Sequence, residues 1–478
     1  MSVPCVPSKW RIVYGSAGFA LSEIHSRLCA ELGENIPCVP AESFVPETPE
    51  QSILLLGTPA DNSLLGKYGE RLSSLGAEGY IIKTEEGFLS EKGQTLVIAG
   101  ADQNGVIYGV MDFLHNIADR LAYGKYYREK RYRPFAEPLE ALDISSRPSV
   151  AKRGIWTWGR CIYDYRGFFD NMARTKLNTA VIWNDVPPVN GLEVVNYAHS
   201  RGIKVLWGFS WGWSTECDVD ISDPEELKFW CGQILSDYDN IWAPLGGDGI
   251  YFQTATECDE KDFNGRPLAA CVVDWVNGIA SALYEKYPTL DIEFGLHATA
   301  VKASTEYLEN VDPRLTITWE NGGAFPFAYH AWDTEGFEAT CELTDKMLAL
   351  RGENEKAGFV FKGVSTLFWP EFMAARDGFV LGQASQDQIS RVFEKARGEI
   401  RTEQAWWLEN LGCLTKIARK AVASGAAKGS VTLLCEDGCF ERARWMPCVL
   451  FGETLWDVNA DPKDVIRRAA LSRDAVFA

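Results

Sequence analysis

Seven short stretches of this 478-residue chain concentrate the side chains that could do chemistry: Trp156-Thr-Trp158-Gly-Arg160, Trp183-Asn184-Asp185, Trp207-Gly-Phe-Ser-Trp211-Gly-Trp213, Gln253-Thr-Ala-Thr-Glu257, His297, Trp319-Glu320-Asn321-Gly322 and Trp369-Pro370-Glu371. Five of the seven carry tryptophan. An indole offers a flat, electron-rich face to the C–H side of a sugar ring, while Asp, Glu, Asn and Arg satisfy its hydroxyls. Aromatic platforms mixed with carboxylates therefore predict a carbohydrate site. Breaking a glycosidic bond takes two carboxyls, a proton donor and a base or nucleophile.

The carboxyls available are Asp185, Glu257, Glu320 and Glu371. Glu257 sits among small and polar residues, and Glu320 lies between Trp319 and Asn321-Gly322-Gly323, where the backbone can turn close to a ligand. Glu371, after Pro370, is the rival of Glu320. A single Glu in a loop more often caps a helix or pairs on the surface, so the expectation rests on the company these residues keep. Trp158, Trp183, Trp207, Trp211, Trp319 and Trp369 are the expected platforms, and Arg160, Asp185, His297 and Asn321 the expected polar contacts. Arg160 could grip a uronate carboxylate with two parallel hydrogen bonds.

Other chemistries find little support. The five histidines form no HxH or HExxH pair, no second CxxC or His pair lies near Cys435 and Cys439 in the sequence, and GxSxG is absent. GADQNGVIYG lacks the GxGxxG order, so its glycines are expected to pack a helix on a sheet. Neither cofactor nor metal is expected. The net charge of −19 argues against nucleic acid and anionic membranes. No secretory leader or membrane-spanning run is evident, and thirteen cysteines scattered in apolar segments suggest reduced thiols and a cytoplasmic protein. The oligomeric state is not legible.

These residues need a scaffold. Residues 1–145 read as a small α/β domain, with strands at Trp10–Tyr14, Ile53–Leu56, Tyr80–Ile82 and Leu96–Ala99 and helices near Leu21–Leu32 and Asp102–Asp119. Lys125–Pro148 reads as a linker. Strand and helix then alternate through Ile155–Trp158, Thr179–Trp183, Lys204–Phe209, Gly249–Thr254, Ile292–Leu296, Leu315–Trp319 and Phe359–Phe368. Seven apolar strands without a dinucleotide fingerprint predict an α/β fold, a (β/α)8 TIM barrel over 146–382. A helical segment, 383–478, would complete it, with a long helix over Gln386–Val422 and Cys448–Trp456 as the last strand-like run. In such a barrel the chemistry lies at the C-terminal strand ends, where the seven stretches fall.

Two segments carry a family resemblance. LVIAGADQNGVIYGVMDFLHNIA resembles the small α/β domain preceding the barrel in family 20, 67, 84 and 115 glycoside hydrolases. RGIWTWGRCIYDYRGFFDNMARTKLNTAVIWND resembles the barrel start of the family 67 and 115 α-glucuronidases. The resemblance implies Glu257 as general acid at the end of strand 4, and Glu320 or Glu371 as base. Family 67 enzymes are longer, with a large C-terminal helical domain, and carry Asp where this chain has Glu320. In the family 20 and 84 hexosaminidases an acidic pair ends strand 4, but here Gly246-Gly247-Asp248 is followed by Gly249. The expected protein is an exo-acting, α-glucuronidase-like glycosidase on oligosaccharides. Alternatives are a β-N-acetylhexosaminidase-like enzyme and a non-catalytic carbohydrate-binding barrel. A sugar isomerase or lyase would need a lysine or metal cluster at the strand ends, which the sequence does not display.

Overall fold

The structure, a computed structural model, describes residues 9–16, 18–120, 135, 138–159, 162–184, 186–211, 219–253, 262–297, 305–320, 337–351, 355–364, 385–424, 428–435, 439–441, 443–473 and 475–476. Apolar runs bounded by turn residues become β1 (Trp10–Tyr14), α1 (Gly18–Leu32), β2 (Cys38–Pro40), β3 (Ser52–Gly57), α2 (Gly69–Leu75), β4 (Tyr80–Glu86) and β5 (Gln94–Gly100). The helix α3 (Gln103–Asp112) starts where the Asp102 side chain accepts from the Gly105 N–H, and it runs on as a π-helical turn, Phe113–Ala118. Its glycines do serve packing: a Cβ on Gly105 would lie 2.3 Å from the Gly79 carbonyl oxygen.

The stretch expected to be a linker contains β6 (Asp143–Ser146), antiparallel to β4 at the edge of a sheet ordered β2-β1-β3-β5-β4-β6. Four residues of alternating exposure, DISS, are too few and too polar to announce a strand.

The alternation that follows comprises β7 (Arg153–Trp158), α4 (Tyr165–Arg174), β8 (Thr179–Trp183), α5 (Gly191–His199), β9 (Lys204–Gly208), α6 (Pro224–Asp237), β10 (Gly249–Gln253), α7 (Leu268–Lys286), β11 (Asp291–His297), β12 (Thr316–Glu320), α8 (Phe337–Ala349), β13 (Lys356–Val364), α9 (Gln386–Ser424) and β14 (Val431–Cys435). β7 to β14 are parallel and form a closed barrel, with Val431 of β14 opposite Arg153 of β7. The fold is the expected (β/α)8 barrel, but its eighth strand is Val431–Cys435. Cys448–Trp456 belongs instead to α10 (Met446–Trp456), which is buried along its whole length. A helix enclosed on every side has no polar stripe, so its sequence shows an apolar run rather than a 3.6-residue period. α11 (Pro462–Leu471) follows.

Each barrel strand turns alternate residues outward to the helices and inward to the bore. Ile155, Ile182, Trp207, Phe252, Ile317 and Trp319 belong to the core between strands and helices. Trp156, Val181, Trp183, Leu206, Tyr251, Val360 and Leu434 fill the bore as a separate cluster, with Trp158 packed on it.

The N-terminal sheet docks at the end of the barrel where strands begin. Arg153 Nη2 and Asn178 Nδ2 each donate to Glu78 at 2.8 Å, and Asn104 Nδ2 donates to the Gly202 carbonyl at 3.2 Å. α10 is tied in by Glu453, which pairs with buried Lys176 at 2.8 Å and accepts from Asn116. Burial opposes ionisation of Glu453, but Lys176 and Arg468 outweigh it and hold the carboxyl below its usual range.

Candidate active site

Glu320 is the last residue of β12. Because Ile317 and Trp319 face the helices, strand alternation turns Glu320 into the bore at its C-terminal mouth, where it is only 5% exposed. The Tyr251 hydroxyl donates to Glu320 Oε1 at 2.5 Å, and the Gln253 amide donates to the same oxygen. Burial, and then the Glu320 carboxylate beside it, push the Tyr251 phenol well above its ordinary value, so it stays a donor.

An aromatic wall adjoins this carboxylate. The Tyr251 ring stands edge-on to Trp156 at 5.8 Å and to Trp183 at 6.5 Å. Trp158, half-buried and nearest the mouth, meets Trp156 at 5.1 Å and Trp183 at 5.9 Å, again edge-on. β7, β8 and β10 thus supply an apolar, π-rich surface, and β12 a buried carboxylate linked to it through one tyrosine. That combination can stack a sugar ring and present a base to it.

Of the expected platforms, Trp158 and Trp183 stand here. Trp207, Trp211 and Trp319 do not, which corrects their reading as sugar contacts. Trp207 is one residue out of phase with the inward Leu206 and packs against Trp242. Trp211 stacks on the outward Phe252 with ring centroids 3.4 Å apart, and Trp319 lies in the same outer layer. All three are closed off from solvent and close the core between strands and helices. His297 ends β11, its Cα paired with that of Glu320. Arg160, Asp185, Glu257, Asn321, Trp369 and Glu371 lie outside the described residues.

The sequence reading passed over Tyr251 and Lys362 and did not count Trp156 among the platforms. Tyr251, between outward-facing Ile250 and Phe252, was legible as a polar-tipped ring on the inward phase of GIYFQ. Trp156 shares that phase on β7. Lys362, in phase with inward Val360, is a lysine 3% exposed near the end of β13. It was missed because it is a single polar residue in a run read as one apolar strand. The described strand has a register break beyond Phe361, with Gly363 at φ +107°.

A second carboxyl lies deeper in the bore. Glu293 of β11 is fully buried, and its Oε2 accepts from the Thr318 and Ser430 hydroxyls at 3.1 and 2.5 Å. Burial pushes this carboxyl up against the pull of Lys152. Its Cα is opposite that of Thr316, four residues before Glu320 on β12 and so toward the end where strands begin.

Residues 14–113 match the family model of the glycosyl hydrolase family 67 N-terminus. The match is confined to this first part of the chain. No curated protein matches the sequence. Among solved structures, a Streptomyces plicatus β-hexosaminidase variant in complex with its GlcNAc product is similar at TM-score 0.53 and 12% identity, over 98% of this chain and 92% of that one. The GH20 β-N-acetylhexosaminidase from Streptomyces coelicolor A3(2) gives 0.52 and 12%, over 98% and 93%. A family GH115 4-O-methyl-α-glucuronidase with specificity for decorated arabinogalactans gives 0.49 and 13% over 95% of this chain. The chain spans 57% of that α-glucuronidase's length. At such identities the hexosaminidase likeness is one of fold alone. The expected fold class, an N-terminal α/β region followed by a (β/α)8 barrel, is met.

Proposed function

We propose that the chain hydrolyses glycosides at the C-terminal mouth of the barrel, as an exo-acting enzyme of α-glucuronidase type. The observation that carries this is the placement of Glu320: buried at a strand end, held on one oxygen, beside the Trp158–Trp183 wall. Glu320 serves as base on a water or as nucleophile, with Glu371 its rival, and Glu257 protonates the leaving oxygen. Arg160, Asp185, His297, Asn321 and Trp369 contribute recognition around the same mouth. The family 67 match supports a uronic sugar. The hexosaminidase-like fold supports an N-acetylhexosamine as the second reading. A cytoplasmic location is part of the same proposal; among the described residues no helix is long and apolar enough to cross a membrane.

The test is a panel of aryl glycosides and oligosaccharides carrying terminal glucuronate, 4-O-methylglucuronate or N-acetylhexosamine, assayed for sugar release. Release of the uronic sugar is expected, and release of N-acetylhexosamine alone would transfer the assignment to the second reading. Glu257→Gln should lose on the order of 10²–10⁴-fold on oligosaccharides but little on an activated aryl glycoside. Glu320→Gln should be inactive on both. Full activity of both variants would refute the pair, and no release from any substrate would favour a binding protein.

A further inference from the structure

We propose that Tyr251 and Gln253 are positioning residues that divide the Glu320 carboxyl between its two oxygens, committing Oε1 to the protein and leaving Oε2 as the atom that works on substrate. The proposal rests on the reading of Glu320 as base or nucleophile. Tyr251 and Gln253 are two apart on β10, so both face the bore. Glu320 is on β12, two strands away, and β11 runs between them. At roughly 4.8 Å per strand, the donors must reach about 10 Å across the middle strand.

The residue they cross is Gly295. A Cβ there would lie 2.1 Å from the Tyr251 hydroxyl oxygen and 2.9 Å from Glu320 Oε1. The glycine opens a lane over β11 through which a phenol on one strand meets a carboxylate on another. Trp156 and Trp183 brace the ring that uses it.

Two donors aimed at one oxygen have a chemical consequence. The phenol keeps its proton, as its burial beside a carboxylate requires, and an amide N–H cannot lose its own. A further proton on Oε1 would face two N–H or O–H hydrogens, so any proton that Glu320 accepts goes to Oε2. Among the described residues Oε2 has no hydrogen-bond partner. As a base, Oε2 takes one proton from water while the water oxygen bonds to the anomeric carbon. The bond to the leaving oxygen breaks toward that oxygen, which takes the Glu257 proton. As a nucleophile, Oε2 itself forms the bond to the anomeric carbon.

The experiment measures kcat, KM and thermal melting for Tyr251→Phe, Gln253→Leu, Glu320→Asp and Glu320→Gln, and for Tyr251→Phe combined with Glu320→Asp, on the best aryl glycoside from the panel. Tyr251→Phe should lower kcat about 10- to 100-fold, the worth of one hydrogen bond to a charged group, and leave KM within about threefold. In the Glu320→Asp background, whose shorter side chain cannot reach the phenol, Tyr251→Phe should cost less than about threefold more. A purely structural tyrosine would lower melting equally in both backgrounds without that split. Wild-type kcat in Tyr251→Phe, or full additivity with Glu320→Asp, overturns the proposal and leaves Glu320 in its role. Activity retained by Glu320→Gln overturns the role of Glu320 and the proposal with it. If Tyr251→Phe fails to fold, Gln253→Leu is read by the same criteria.

Discussion

Gly295→Ala places one methyl group in the lane between Tyr251 and Glu320. Its carbon would sit 2.1 Å from the phenol oxygen and 2.6 Å from the ring carbon bearing it, more than 1 Å inside ordinary contact. The ring cannot swing away, because Trp156 and Trp183 pack on it. The relief available is to push the hydroxyl off Glu320. Overpacking of this kind costs about 1–3 kcal/mol, and loss of a hydrogen bond to a charged group about 1.5–3 kcal/mol. Replacing glycine within a strand returns about 0.5–1 kcal/mol. The net expectation is a destabilisation of about 2–5 kcal/mol, read by denaturant unfolding monitored with tryptophan fluorescence, together with a fall in kcat. Because the nearest clashing atom is the hydroxyl oxygen, the same substitution should cost less in a Tyr251→Phe background. Coupling between contacting sites of about 0.5–3 kcal/mol is the usual range. A Gly295→Ala protein with wild-type unfolding midpoint and full kcat would refute the close approach of the three residues.

Two further outcomes are expected. Glu453→Gln leaves buried Lys176 without its 2.8 Å partner and should destabilise the protein by about 3–5 kcal/mol at pH 7. Since the folded carboxyl is held below its usual value, its contribution is present above the unfolded-state pKa of about 4.3 and disappears as pH falls through the folded value. The variant's stability should therefore change less than wild type in acid, and parallel pH curves would disprove the linkage. Trp158→Ala should raise KM with little change in melting, whereas Trp319→Ala should lower stability by about 3–5 kcal/mol and leave the KM of the folded enzyme near wild type. Raised KM in both would restore Trp319 to the substrate surface.

Strands dense in β-branched and aromatic residues, such as Thr179–Trp183 and Gly249–Gln253, were legible because a parallel strand is apolar on both faces. That same property hid which tryptophans face the bore. Trp183 and Trp207 sit in similar runs, and only the phase fixed by closure puts one inside and the other beneath a helix. Glu320 was found because it stands at a strand end between Trp319 and Asn321-Gly322-Gly323. Tyr251 was not, because its function depends on a glycine on another strand. The eighth strand was displaced because Val431–Cys435 is five residues long, beside the longer apolar run that became α10.

The closure of the barrel also sets a schedule for the growing chain. The Thr157 hydroxyl donates to the Cys435 carbonyl across 278 residues of sequence. At about 5–20 residues per second, the ribosome needs tens of seconds to supply the second partner after the first has emerged. Throughout that interval β7 presents an unpaired edge, and near its end β13 presents another, each rich in hydrogen-bonding groups and flanked by apolar side chains. The nascent chain is therefore most exposed to misassembly late in synthesis, when seven strands exist and the eighth does not.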